Sequence, residues 1–234
     1  LDQPPRPRQT LATAQGHGTV RAVYRDLTAM TALSAVPIFP LHAVLFPEGK
    51  LPLRIFEPRY LELVKRSLKE DTPFVIAALL SGQEVLSGAP EAGLPRVAPV
   101  ACLVRIVDFD ALADGTLGIT VAGEGRVRID RSWEGPGRLL EGDLTALEPW
   151  STVPPRADQA PLLQVLSQLL EHPAVEKLAP VVRWEEAWSV AARLTELLPF
   201  TPGFKQALLA EVDPLQMLDA VGAELDELRE ADGA

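Results

Sequence analysis

Apolar and polar positions along the chain change their period near residue 150, which separates a strand-rich part from a helical part. Val36-Pro37-Ile38-Phe39-Pro40 and Leu51-Pro52-Leu53-Arg54-Ile55 must be extended, because a proline ring excludes the helical conformation for the residue before it. Pro58 suits a first helical position. Tyr60, Leu61, Val64 and Leu68 follow at helical spacing until Asp71-Thr72-Pro73 ends the run, so the spacing predicts one helix here. Residues 74–80 read as a buried strand and the valine-rich 97–109 as another. Asp114-Gly115 signals a tight hairpin, since glycine tolerates the positive φ that such turns demand. Beyond it, Leu117, Ile119 and Val121 alternate with Thr116, Gly118 and Thr120; in a following strand Val127 and Ile129 alternate with Arg126, Arg128 and Asp130. Residues 138–148 supply a further strand. Short strands cornered by Gly and Pro and interrupted by one helix predict a closed or nearly closed small barrel.

Prolines in Trp150-Ser151-Thr152-Val153-Pro154-Pro155 stop both helix and sheet, and the period then shifts toward 3.6. Leu162, Val165, Leu166 and Leu169 form one stripe. Trp184, Trp188, Ala191, Leu194 and Leu198 form a second, and Leu218, Val221, Leu225 and Leu228 a third, opened by the cap Asp213-Pro214. A short helix over 204–211 lies between the last two. The expected organisation is a flexible, unpatterned arm over 1–35, a barrel over 36–150, a linker over 151–155 and a helical bundle over 156–234. The initial Leu1 and the loss of pattern before Val36 lead us to expect that Met30 is the natural start.

Charge narrows the partner class. The formal charge is −10, and no basic block supplies the cations that displace counterions from phosphates, which disfavours nucleic acid. No run approaches the ~20 apolar residues that span a bilayer, and no secretory leader is recognisable, so a cytoplasmic protein is expected.

Catalytic chemistry lacks its parts. Cys102 is the only cysteine and sits in the apolar run Val100 to Val104, which suits a buried thiol better than a nucleophile. His17, His42 and His172 fall at no metal-ligand spacing; His172, beside Pro173, reads as a cation near a helix C-terminus. Gly88 to Gly93 imitates the start of a P-loop, but Leu94-Pro95 stand where Lys and Ser/Thr would reach phosphate and magnesium. The glycines from 118 to 125 precede no helix, and no serine lies in a nucleophile elbow. No cofactor and no metal are therefore expected.

The informative stretch is Pro37 to Tyr60. It reads as a stiff strand, a turn at Glu48-Gly49, a return strand and a helix start. Arg54 and Arg59 would bring two cations around Glu57 near the positive helix end, either as a structural network or as a polar anchor for a bound peptide. The nine residues Pro52-Leu53-Arg54-Ile55-Phe56-Glu57-Pro58-Arg59-Tyr60 resemble the core phrase of the Lon N-terminal, substrate-binding domain family. Similarity continues in Gly123-Glu124-Gly125-Arg126-Val127-Arg128-Ile129 and in the last helices, over about residues 36–230. Val75 departs from the family's glycine there, and Val97-Ala98-Pro99 from its usual turn.

The resemblance implies an α+β fold: a PUA-like pseudo-β-barrel with one inserted helix, followed by a C-terminal helical bundle. It implies recognition of unfolded or extended polypeptide, associated with proteolysis through a protease or chaperone partner, without catalysis. Motif residues that would serve structure or peptide binding are Phe46, Pro52, Arg54, Phe56, Glu57, Arg59 and Tyr60. Two rivals remain: a nucleic-acid-binding PUA-like module, which would need a basic patch, and a small-molecule enzyme, in which carboxylates such as Glu57 or Asp108 would converge in a pocket.

Overall fold

The computed structural model describes residues 32–82, 94–176 and 180–232. Its strands are β1 (Ala32–Leu41), β2 (Lys50–Ile55), β3 (Phe74–Ser81), β4 (Arg96–Val97), β5 (Val100–Ala111), β6 (Leu117–Glu134) and β7 (Leu140–Ala146). Helix α1 (Pro58–Glu70) separates β2 from β3. The chain then ends in α2 (Ala160–Leu170), α3 (Pro173–Glu176), α4 (Ala187–Leu197), α5 (Pro202–Ala210) and α6 (Pro214–Asp232). The P-loop-like glycines, His17 and most of the predicted arm lie outside the described residues.

Five strands close a ring in the order β1-β7-β6-β5-β3, and β1 completes it by pairing parallel with β3. The ring is not a clean barrel: β2 lies off it, antiparallel to the first half of β6, and β4 adds two residues beyond β3. Inside, Ile38, Val75, Leu103, Val127 and Leu144 are fully buried. A second layer forms where Tyr60, Leu63 and Val64 of α1 pack on Phe39, Phe74 and Val104.

Three expectations are corrected. The arm ends sooner, because Ala32 and Leu33 already pair with Thr145 and Leu144, and a bulge before Val36, with Ala35 at φ 55°, hides this in the pattern. The strands expected on either side of Gly123 to Gly125 are one bent strand, β6; a Cβ on Gly123 would collide with the Phe46 carbonyl, so glycine permits the close approach of the β1–β2 loop. Trp184, assigned to a helical stripe, precedes α4 and is 40% exposed.

The helical part packs on the ring through a shared core. Phe46 and Val44 from the β1–β2 loop and Val100 from β5 join Leu166, Leu194, Leu209, Leu218 and Val221. The rings of Phe46, Trp150 and Trp188 stack in a column, with centroids 6.4 and 5.6 Å apart. Burying a Trp and a Phe at such a seam contributes roughly 3–6 kcal/mol from area alone. Trp150 is therefore an anchor between the two parts. No described helix is long and apolar enough to cross a membrane.

Candidate functional site

The nine-residue motif is dispersed by the fold. Arg54 turns away from Glu57 to Asp114 and to Thr116 Oγ1, 3.1 Å away at the β5–β6 hairpin, so the expected pair of cations around Glu57 does not form. The end of the strand separates them: Arg54 lies on β2, whereas Glu57 is already the N-cap of α1. Glu57 pairs with Arg59 at 3.0 Å, and the Arg59 guanidinium lies 4.3 Å from the Tyr60 ring centroid. Tyr60 in turn stacks on Phe39 at 3.8 Å. These contacts fasten α1 to the ring. Phe56 is 55% exposed, an ordinary condition for a single surface aromatic. Asp108 accepts the Phe109 N–H, and neither Asp108 nor Glu57 lines the groove described next.

A groove of about 400 Å³ opens instead between the β1–β2 loop, β2 and the helices α4 and α5. Val44, Leu45, Leu51, Leu197 and Phe200 give it apolar walls. Pro52 stands on its rim, so one motif residue reaches the groove directly, and Phe46 reaches it through its backbone. Pro180 also lines it, beside Val181 and Trp184, which stay 42% and 40% exposed.

One side of the groove takes Lys50, Leu51 and Pro52 from the edge strand β2. Strand β2 pairs with β6 and has no partner on its other side among the described residues. Pro52 faces Thr120 in the register, and a prolyl nitrogen has no hydrogen to give a ladder. Pro52 therefore takes a position between ladder bonds, and by alternation Lys50, Pro52 and Arg54 turn their backbone groups toward the open edge.

Buried charge forms the other side. Arg193 is 1% exposed; its Nη2 donates to the Pro47 carbonyl at 2.9 Å and pairs with Glu196 at 3.2 Å. Glu196 Oε1 accepts the Phe46 N–H at 3.0 Å, and Lys205 Nζ lies 3.4 Å from the Glu196 carbonyl. Burial raises the Glu196 carboxyl and lowers the Lys205 ammonium, each toward its neutral form. A Cβ on Gly49 would strike Glu196 Oε1, so glycine at this position lets the carboxylate approach the loop. Arg183 adds an outer clamp, donating from Nε and Nη2 to Glu48 at 2.6–2.9 Å.

Sequence reasoning missed Arg193, Glu196 and Lys205. In sequence Ser189, Arg193 and Glu196 recur at helical spacing as an ordinary polar stripe, whereas the structure buries Ala187 through Thr195 on every side, this stripe included. Cys102 is fully buried and its thiol is pushed up by desolvation, as an inert core residue would be. His172 follows the C-terminal end of α2, and its Nδ1 accepts the Ala174 N–H at 3.2 Å at the start of α3. Among the described residues no cluster of His, Cys, Asp or Glu could hold a metal.

Known proteins share this architecture. Lon protease 1 of Bdellovibrio bacteriovorus is 27% identical over 187 residues, covering 78% of this chain and 20% of that protein. The chain thus spans about a fifth of that relative's length. The crystal structure of a Lon N-terminal domain protein from Xanthomonas campestris matches with a TM-score of 0.64 at 33% identity, covering 82% of this chain and 98% of that one. The N-terminal domain of the Lon protease of the Mycobacterium avium complex shares the fold, with a TM-score of 0.53 at 17% identity, covering 82% of this chain and 96% of that one. The family model for the substrate-binding domain of the ATP-dependent protease La (Lon) matches residues 35–227, and the chain belongs to that family.

Proposed function

We propose that the chain recognises unfolded or extended polypeptide segments for a Lon-type proteolytic system in the cytoplasm, and performs no catalytic step itself. The observation that carries this reading is the groove beside residues 50–52 of the edge strand β2, walled by apolar side chains from both parts of the fold. At the unpaired edge the backbone groups of Lys50 and Arg54 and the Pro52 carbonyl, which lacks an N–H beside it, can bond an extended chain, and adjoining apolar surface adds affinity for exposed core segments. The matched family is the substrate-binding part of Lon and not its peptidase. The formal charge of −10 argues against the nucleic-acid reading.

Fluorescence anisotropy with a labelled, end-capped peptide of alternating apolar residues tests the proposal. Leu51→Glu and Leu197→Glu, on opposite walls, should each weaken binding at least tenfold, whereas Phe56→Ser should not. Full binding by both groove variants, with loss in Phe56→Ser, would move the site to the α1 motif.

A further inference from the structure

The groove is locally basic on an acidic protein. Lys50, Arg193 and Lys205 line it against the single carboxylate of Glu196, while the whole chain carries a charge of −10. Both oxygens of that carboxylate are already committed, one to the Phe46 N–H and the other to Arg193 Nη2. Nε and Nη1 of Arg193 have no partner among the described residues, and Lys205 Nζ has the one long contact to a backbone carbonyl. Arg193 is buried and Lys205 half-buried beside one shared carboxylate, so positive charge removed from water exceeds its counter-charge, and a ligand anion placed beside it offsets part of that cost.

We propose that the groove selects extended segments in which an acidic side chain lies between apolar ones, the carboxylate being held by Lys205 and Lys50 in the field of Arg193. The proposal deepens the polypeptide reading and rests on it. A chain that pairs with β2 runs along the groove and past the cations, so the group it offers them is a side chain and not its end. The flanking apolar side chains meet Leu51, Leu197 and Phe200. Burial lowers the Lys205 ammonium, and a bound carboxylate would restore its preference for the charged form.

Three peptides of one alternating Leu/Val sequence decide the matter: one with a central Glu and both ends capped, one with a central Gln and both ends capped, and the Gln peptide with a free C-terminal carboxylate. The full chain should bind the Glu peptide about tenfold tighter than the capped Gln peptide at low salt, the discrimination expected of one charged contact of ~1.4 kcal/mol. The double variant Lys50→Gln/Lys205→Gln should bind both alike. Lys205→Arg alone should keep the preference, and so should the control Lys65→Gln/Lys69→Gln on α1. Equal affinity for the Glu and Gln peptides, both lost in Leu51→Glu, overturns the carboxylate preference and leaves the polypeptide reading standing. A gain confined to the free C-terminus also overturns it. Failure of all three peptides to bind overturns both readings.

Discussion

Replacing Arg126 by Met should show how far one buried cation ties the helices to the ring. Arg126 is 4% exposed; Nη1 donates to the carbonyls of Leu209 at 3.2 Å and Glu211 at 2.7 Å, and Nη2 to that of Glu148 at 2.9 Å. Its guanidinium lies 3.9 Å from the Trp150 ring centroid. Methionine fills most of the same space, so the cavity term is small and the loss is polar. The Glu211 carbonyl keeps the Trp150 indole N–H at 2.7 Å. The Leu209 and Glu148 carbonyls lose this donor, at ~1–3 kcal/mol for each one left buried. Loss of the stacked cation adds ~0.5–2 kcal/mol. Against this, the variant no longer strips a guanidinium of water, which returns several kcal/mol. The net expectation is a destabilisation of about 2–4 kcal/mol. At ~2–4 °C per kcal/mol for a domain of this size, the melting temperature falls by about 5–15 °C. Differential scanning calorimetry at fixed pH reads this, with Arg126→Lys expected in between because an ammonium cannot span all three carbonyls. A melting temperature equal to wild type in the Met variant would mean that Arg126 does not tie the helices to the ring.

Glu57→Ala leaves Arg59, whose side chain is 8% exposed, over Tyr60 without its carboxylate; a urea titration should show a loss of about 2–3 kcal/mol, and an unchanged midpoint would mean that the pair is not structural. Gly123→Ala forces a methyl into the Phe46 carbonyl, and the strain of ~1–3 kcal/mol or more should appear as a lower midpoint or as insoluble protein; wild-type behaviour would contradict the bend of β6 around the loop. Stability should also depend on pH in two directions. The Glu196 and Glu124 carboxyls are raised above 4.5 by burial, so the native state retains protons that the unfolded chain has lost, and stability declines as pH climbs from 4.5 through their raised values. Asp114, Asp130, Asp143 and Asp219 are lowered by hydrogen bonds from Thr116, Thr145, Ser34 and Arg156, so the stability they add above 3.8 is lost as pH falls through their lowered values. Urea midpoints across this range should show Glu196→Gln flattening the descending limb, and an unaltered slope would count against its burial.

Local pattern carried much of the architecture because it depends on neighbours in the chain. Pro58 and the apolar spacing after it placed α1, and Asp114-Gly115 placed the hairpin where Gly115 takes φ 82°. The shift of period at Trp150 foretold the helices. Where local rules were overridden, a distant element was responsible. Arg126 alternates with Val127 and should face outward, yet it is buried because α5 and Trp150 cover that face. The glycines around 123 look like a break and are a point of close approach, which no window of β6 alone can reveal.

The candidate site was the least legible part. The motif phrase identified the family through residues that mostly hold α1 to the ring, whereas the groove joins Lys50 and Leu51 to Arg193, Glu196 and Lys205, more than 130 positions further on. Most elements, their class and the family could be read from the chain alone, since periodicity, proline stereochemistry and a specific phrase are local properties. Only the tertiary structure decided which charges lose water together and which strand keeps an open edge, because desolvation and edge exposure depend on what packs alongside, not on what is adjacent in the chain.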